Sequence, residues 1–259
     1  MKRLSIFVFA ICVSLVSFAQ KEVSAKSIFE AIDKKQQIQY DGVVVVGTLD
    51  LTELSNKKRK NNKASWDEYK STVEVPVVFR NCTFKGDVIA YKNLSKDGKR
   101  KSIAGFNIEL GESSTTYSTD FTENVVFENC TFEGDSEFKY SKFSRVANFS
   151  GTKFSQQANF KYAHFKGEAS FTGNQFSEYA NFKYADFDDQ VYFKNAHFRD
   201  YADFKYAHFH DGVSFKSGRF QRHADFKYTS FSNDTDFQST DFEGSTDFKY
   251  SNGKRYVSR

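Results

Sequence analysis

Lysine and tyrosine recur side by side along the second half of the chain, as Lys161 and Tyr162, Lys183 and Tyr184, Lys205 and Tyr206, and Lys227 and Tyr228, at a constant step of 22. An ammonium group next to a phenol ring suits sugars and anions, because rings stack on sugar faces and ammonium groups pair with carboxylates. The same residues also suit a ladder that stacks only on itself, with Asn159, Asn181, Asp203, Asp225 and Asp247 as a neighbouring outward column that offsets the lysine charge. Both readings stay open at the level of sequence. The histidines, His164, His197, His208, His210 and His223, are scattered, and His208 with His210 is the only close pair. Among so many Asp and Ser residues triads arise by chance, so no metal, cofactor or catalytic residue is assigned and no enzymatic activity is expected. A glycine-rich phosphate loop, a paired-cysteine metal spacing and a nucleophile elbow are all missing from the sequence.

The elements that must position these residues follow from phenylalanine. The chain holds 31 Phe and 14 Tyr in 259 residues with one Pro and one Trp, far from ordinary usage. From Phe121 to Phe248 the spacing alternates between six and five without a gap, so that four Phe fall within each step of 22. Neither a helical period of 3.6 nor plain alternation gives that pattern, whereas a chain that turns a corner after each short strand does. Positions one such step apart then lie one above another at strand spacing, roughly 4.8 Å. The central Phe and the residue two before it (Ala147, Ala158, Ala169, Ala180, Ala202, Ala224) face inward, and the residues between face solvent.

The stretches "ANFKYAHFKGE", "ADFKYAHFHDG" and "TDFQSTDFEGS" resemble the pentapeptide-repeat family, whose unit has a small residue, a polar residue, a central Leu or Phe and two more polar residues. The resemblance covers about half of the chain and implies an all-β fold, a right-handed quadrilateral β-helix. Here every second unit carries one extra residue, for which a bulge at two of the four corners is expected. Some members of the family mimic duplex DNA and protect gyrase; that role needs a strongly acidic face and a cytoplasmic address. Residues 125–250 carry 15 Lys and Arg against 18 Asp and Glu, which does not meet the first requirement. No nucleic-acid partner is expected. An enzyme acting on polysaccharide is the other alternative, and would need carboxylates or basic groups aligned in one groove.

The remaining segments set address and boundaries. Residues 1–19 read as a signal peptide, with Lys2 and Arg3 before an apolar run from Leu4 to Ala19 and small residues at Ser17 and Ala19. That run is short for a membrane span, so cleavage after Ala19, a periplasmic or secreted address and no span in the mature chain are expected. Residues 20–124 are expected to hold a capping helix N-capped by Ser24, the first coils, and two basic stretches, 56–63 and 96–101, read as projecting loops that are solvated or form a shared anion-binding patch. The regular β-helix takes 125–250, and 251–259 is a basic tail. Cys82 and Cys130 sit in nearly identical contexts, "VVFRNCTFKGD" and "VVFENCTFEGD", and are expected to stack in adjacent coils, close enough for a disulfide. The chain thus reads as an exported structural or binding module. Its expected partner is an envelope protein or polysaccharide, and an uncapped C-terminal coil would offer a second copy a place to join.

Overall fold

The computed structural model describes residues 20–63, 66–95, 101–103, 106–108 and 114–257. The chain forms a four-faced β-solenoid: two nine-stranded and two eight-stranded sheets run along its length, and each coil contributes one strand to every face. In the regular part the strands are very short and pair in parallel with the strand one coil further on, as in Ala147 with Ala169, Lys153 with Gln175, Ala158 with Ala180 and His164 with Asp186.

The interior is the aromatic lattice that the spacing demands. Phe138, Phe160, Phe182, Phe204 and Phe226 are buried and form one ladder with centroids 5.1–5.2 Å apart. Rings on neighbouring faces meet edge-on, as Phe171 meets Phe182 at 82°. Within a face the rings run parallel; between faces some contacts are nearly perpendicular, matching positive ring edges to negative ring faces, and others are tilted, as Phe160 against Phe165 at 44°. The alanines assigned inward, Ala147, Ala158, Ala169, Ala180, Ala202 and Ala224, are all buried beside them.

Two kinds of corner join the faces. Where consecutive Phe residues are five apart, the chain makes a hydrogen-bonded turn from the first Phe, as in Ala163 N–H to Phe160 O and Asn174 N–H to Phe171 O. The third residue of that turn is left-handed, as a type II turn requires. One such corner places Asn129, Gly151, Gly173, Asn195, Ser217 and Ser239 there, and the other places Tyr140, Tyr162, Tyr184, Tyr206, Tyr228 and Tyr250, with φ of 57–60°. Gly and Asn are the usual residues in this conformation; a column of tyrosines is not. Where the spacing is six, the extra residue lies in an open bend, as at Gly167, between strands that stay in register. The expected bulges are therefore absent from the described regular coils, because the sixth residue is taken up by the corner and not by a strand.

Helix α1 (Ala25–Asp33) is N-capped by Ser24, whose Oγ accepts from Ser27 N–H at 3.0 Å. Its buried Ala25, Ile28 and Ile32 join the core beside the first strands, so it closes the N-terminal end. At the other end, residues 251–257 fold onto the last coil. Asn252 both accepts from Phe231 N–H and donates to Phe231 O, and the Tyr256 hydroxyl donates to Ser232 O. The C-terminal coil, expected to be uncapped, is thus partly covered, although Phe242 and Phe248 stay only partly buried.

The irregular N-terminal part departs from this period. Ile38–Asp41 pairs with Val77–Arg80, and that strand with Val125–Glu128, so the first two coils span 38–76 and 77–124, both far longer than the coils that follow. The extra length is β structure. Lys58–Lys63 and Trp66–Val73 form an antiparallel hairpin, Ser114–Phe121 runs parallel to the latter, and Tyr91–Ser95 pairs antiparallel with Ser114–Phe121. The basic stretch 56–63, expected as a loop, is thus largely an edge strand, in which Arg59 pairs across the hairpin with Asp67 and Lys57 pairs locally with Glu53. In the stretch 96–101, residues 96–100 lie outside the described residues, as does the expected signal peptide, and Lys101–Ile103 pairs with Phe106–Ile108.

Candidate functional site

The lysine and tyrosine strip stands on the corner after the face that carries Ala158 and Asn159. Each tyrosine ring lies flat on the next: Tyr140 on Tyr162 at 4.8 Å, Tyr162 on Tyr184 at 4.6 Å, Tyr184 on Tyr206 at 4.7 Å and Tyr206 on Tyr228 at 4.6 Å. Interplanar angles within this run are 2–5°. Both faces of each inner ring are therefore occupied by its neighbours, and the column presents edges and hydroxyls. Stacking of a sugar on these faces, one of the two readings left open by the sequence, has room only where the column ends, and the self-stacking ladder is the arrangement seen along the run. At its lower end Tyr91 meets Tyr140 at 5.6 Å, and the two rings line a pocket of about 290 Å³ with Glu68, Thr116 and Ser118.

The ammonium groups lie over these rings, Lys161 at 5.2 Å from Tyr162, Lys183 at 5.4 Å from Tyr184 and Lys205 at 5.7 Å from Tyr206. Lys227 differs, because it pairs with Asp225 at 3.0 Å and Asp247 at 3.4 Å. Asp225 belongs to the column two positions before the lysines. Asn159, Asn181, Asp203 and Asp225, expected to point outward, are buried. Their short side chains fold back so that an oxygen accepts the backbone N–H two positions on: Lys161 N–H to Asn159, Lys183 N–H to Asn181, Lys205 N–H to Asp203 and Lys227 N–H to Asp225, at 2.9–3.2 Å. These are Asx turns that fix the corner. The strip is consequently divided. Lys161 and Lys183 follow neutral amides, with Glu137 one coil before this pair and Asp203 one coil after it, while Lys205, Lys227 and Lys249 each follow an aspartate directly.

Electrostatics follow the division. Burial, then the charges of Lys139 and Lys183, holds Lys161 below the usual lysine range, whereas its hydrogen bond to Asp225 raises Lys227. Asp203 is raised by burial, with its carboxylate held by Lys205 N–H and by the Tyr179 hydroxyl at 3.0 Å. An acid raised in the folded state binds more protons there than when unfolded, so its contribution favours folding below the unfolded carboxylate value and is lost as pH rises through the folded one. The variant Asp203→Asn, which copies Asn159 and Asn181, should therefore melt at a higher temperature than the parent at pH 7. The gain should vanish by pH 3 in thermal denaturation followed by circular dichroism.

Cys82 and Cys130 do lie in adjacent coils, since Thr83 and Phe84 pair in parallel with Thr131 and Phe132. Their separation in sequence is thus one coil with an insertion, and not two coils. Both cysteines are buried free thiols. Each thiol donates to backbone carbonyls, Cys82 to Arg80 O at 3.0 Å and Cys130 to Phe79 O and Glu128 O at 3.5 Å, and the interaction between the two sulfurs holds Cys82 below and Cys130 above the usual thiol range. Oxidation of the purified chain should join them; a mass lower by about 2 Da on intact-protein mass spectrometry, reversed by a thiol reductant, is the check, and adjacent strand spacing falls within the Cα range a disulfide allows.

What sequence reasoning missed is the left-handed tyrosine. Phe-Lys-Tyr alternates with Phe-Ser-Gly (149–151), Phe-Thr-Gly (171–173) and Phe-Lys-Asn (193–195), so Tyr occupies the place that Gly or Asn occupies one corner later. That alignment was the available signal.

Compared with known proteins, residues 138–185 and 171–219 match the family model described as pentapeptide repeats (9 copies). No curated protein and no solved structure matches the chain. The repeat match falls on coils whose Phe ladders and five-residue corners are regular, and residues 138–219 of the chain consist of pentapeptide repeats.

Proposed function

We propose that the chain is an exported, non-catalytic binding module of the cell envelope that holds an extended acidic polymer along the Lys161 to Tyr206 strip. The observation that carries this reading is the pair Lys161 and Lys183, ammonium groups set over Tyr162 and Tyr184 and flanked by Asn159 and Asn181 where the next coils have aspartate. A run of positive charge in which burial, then repulsion from neighbouring lysines, lowers Lys161 gains from an anion laid across it. Hydroxyl edges at about 4.7 Å intervals add hydrogen-bond partners in a line, which favours a polymer over a small molecule. The N-terminal sequence supports export, and mass spectrometry of the protein from an envelope fraction should find a chain beginning at Gln20.

The test is a length series. Oligogalacturonates of increasing length, titrated by calorimetry, should bind with affinity that rises with each added unit until the strip is spanned, and binding should weaken with salt. Equal affinity for a monosaccharide and a long oligomer would argue against this reading. Release of reducing ends from the polymer would favour an enzyme instead.

A further inference from the structure

A second cluster lies on the face that follows the tyrosine corner. His164, Asp186 and His208 are consecutive rungs of one column, paired in parallel from coil to coil. Asp188 and His210 stand two positions along in the neighbouring column. His210 Nε2 is 2.7 Å from Asp186 Oδ1, His208 Nδ1 is 3.9 Å from the same oxygen, and His164 Nε2 is 2.9 Å from Asp188 Oδ1. The ligand atoms of Asp186, His208 and His210 all lie within 4.8 Å of one another, and those of His164, Asp186 and Asp188 do so as well. Three of the five histidines of the chain are thus gathered around one carboxylate. The same two columns carry lysine and serine in the coils on either side, Lys142 and Ser230 in one, Lys166 and Ser232 in the other.

We propose that Asp186, His208 and His210 form a binding site for a divalent cation of the zinc class. Imidazole nitrogens with one carboxylate are the donors such ions select over calcium or magnesium, and three protein ligands with water in the fourth position form a complete tetrahedral site. Donors about 2.0–2.2 Å from a zinc ion stand roughly 3.3–3.6 Å from each other, so His210 Nε2 and Asp186 Oδ1, now 2.7 Å apart, have to part by less than about 1 Å while His208 Nδ1, at 3.9 Å, moves slightly inward. The side chains are free to do so, His208 and His210 being about half exposed on a rigid backbone ladder. Simple charge pairing would satisfy His210, but it does not account for a second histidine directed at the same oxygen. His164 stands one rung before Asp186 in the same column, with its Nε2 held by Asp188 at 2.9 Å. A cation on Asp186 would leave the Asp188 carboxylate to orient His164 on the inner side of the site.

The experiment uses the purified untagged chain, stripped with a chelator. Titration with zinc chloride by calorimetry should saturate at one ion per chain, and titration with cobalt chloride should give the visible absorption bands of a four-coordinate nitrogen and oxygen site. The double variant His208→Ala/His210→Ala should weaken zinc binding by roughly 100-fold or more, since loss of direct ligands exceeds the 10–100-fold cost of losing outer-shell partners. Its melting curve without metal should match the parent. The control His197→Ala/His223→Ala should bind as the parent does. Absence of saturable zinc binding in the parent, or undiminished binding in the His208/His210 variant, would overturn the proposal.

Discussion

Replacing Phe182 by alanine should lower the unfolding free energy by about 3–5 kcal/mol, among the largest single-residue losses available to this chain. Phe182 is fully buried, stacks on Phe160 and Phe204 at 5.1 Å each, and meets Phe171, Phe176 and Phe193 edge-on. The backbone around it is held by parallel strands above and below, so the cavity has little scope to close. The same substitution at Phe248, half-buried in the last coil and stacked on a ring of its ladder, Phe226, on one side only, should cost clearly less. Urea unfolding of both variants is the check. Stability in a solenoid is a sum of coils and nearest-neighbour contacts, which makes position along the axis matter. Equal losses at the two sites would mean that the stacked lattice is not what holds the coils together.

The triple variant Tyr162→Ser/Tyr184→Ser/Tyr206→Ser should lose both stability and binding. It removes four ring stacks, from Tyr140–Tyr162 to Tyr206–Tyr228, each worth about 0.5–1.5 kcal/mol, for a total of roughly 2–6 kcal/mol. Serine is accepted by this left-handed position, since Ser217 and Ser239 adopt it one corner later, so the loss reports on rings and not on the turn. Lys161, Lys183 and Lys205 would at the same time lose the rings over which their ammonium groups lie. Thermal melts and retention on immobilised polygalacturonate separate the two consequences. Lower stability with unchanged retention would reduce the tyrosine column to a structural ladder.

Much of this was legible in sequence because one constraint dominates. A Phe at every fifth or sixth position leaves a chain few ways to bury them all, and the four ladders, the inward alanines and the parallel register from coil to coil follow from it. Ser24 before an amphipathic run announced the capping helix. The matching contexts of Cys82 and Cys130 placed them in adjacent coils. Other features depend on local geometry that residue types do not announce. Asn159 and Asp203 read as outward because polar residues usually are, but a side chain that short reaches its own turn's N–H and is covered there. Residues 58–63, Lys-Arg-Lys-Asn-Asn-Lys, have no apolar alternation, and become a strand only because Trp66–Val73 offers an edge. The histidine cluster was written in the same repeating register as the tyrosines; His164, Asp186 and His208 are spaced by it, but the eye is drawn to the sequence neighbours His208 and His210.

The proposed binding along the strip rests on the difference between lysines that follow Asn159 and Asn181 and the lysine paired with Asp225 and Asp247, and one comparison tests that difference directly. Retention on immobilised polygalacturonate at low salt should fall at least tenfold for Lys161→Gln/Lys183→Gln, while Lys227→Gln, which removes an ammonium already paired with Asp225 and Asp247, should bind as the parent does. Melting temperatures of the Lys161/Lys183 variant and the parent should agree, because these side chains lie outside the core. Equal retention of the two lysine variants, or none by the parent chain, would contradict the assignment of the strip as a polymer-binding site.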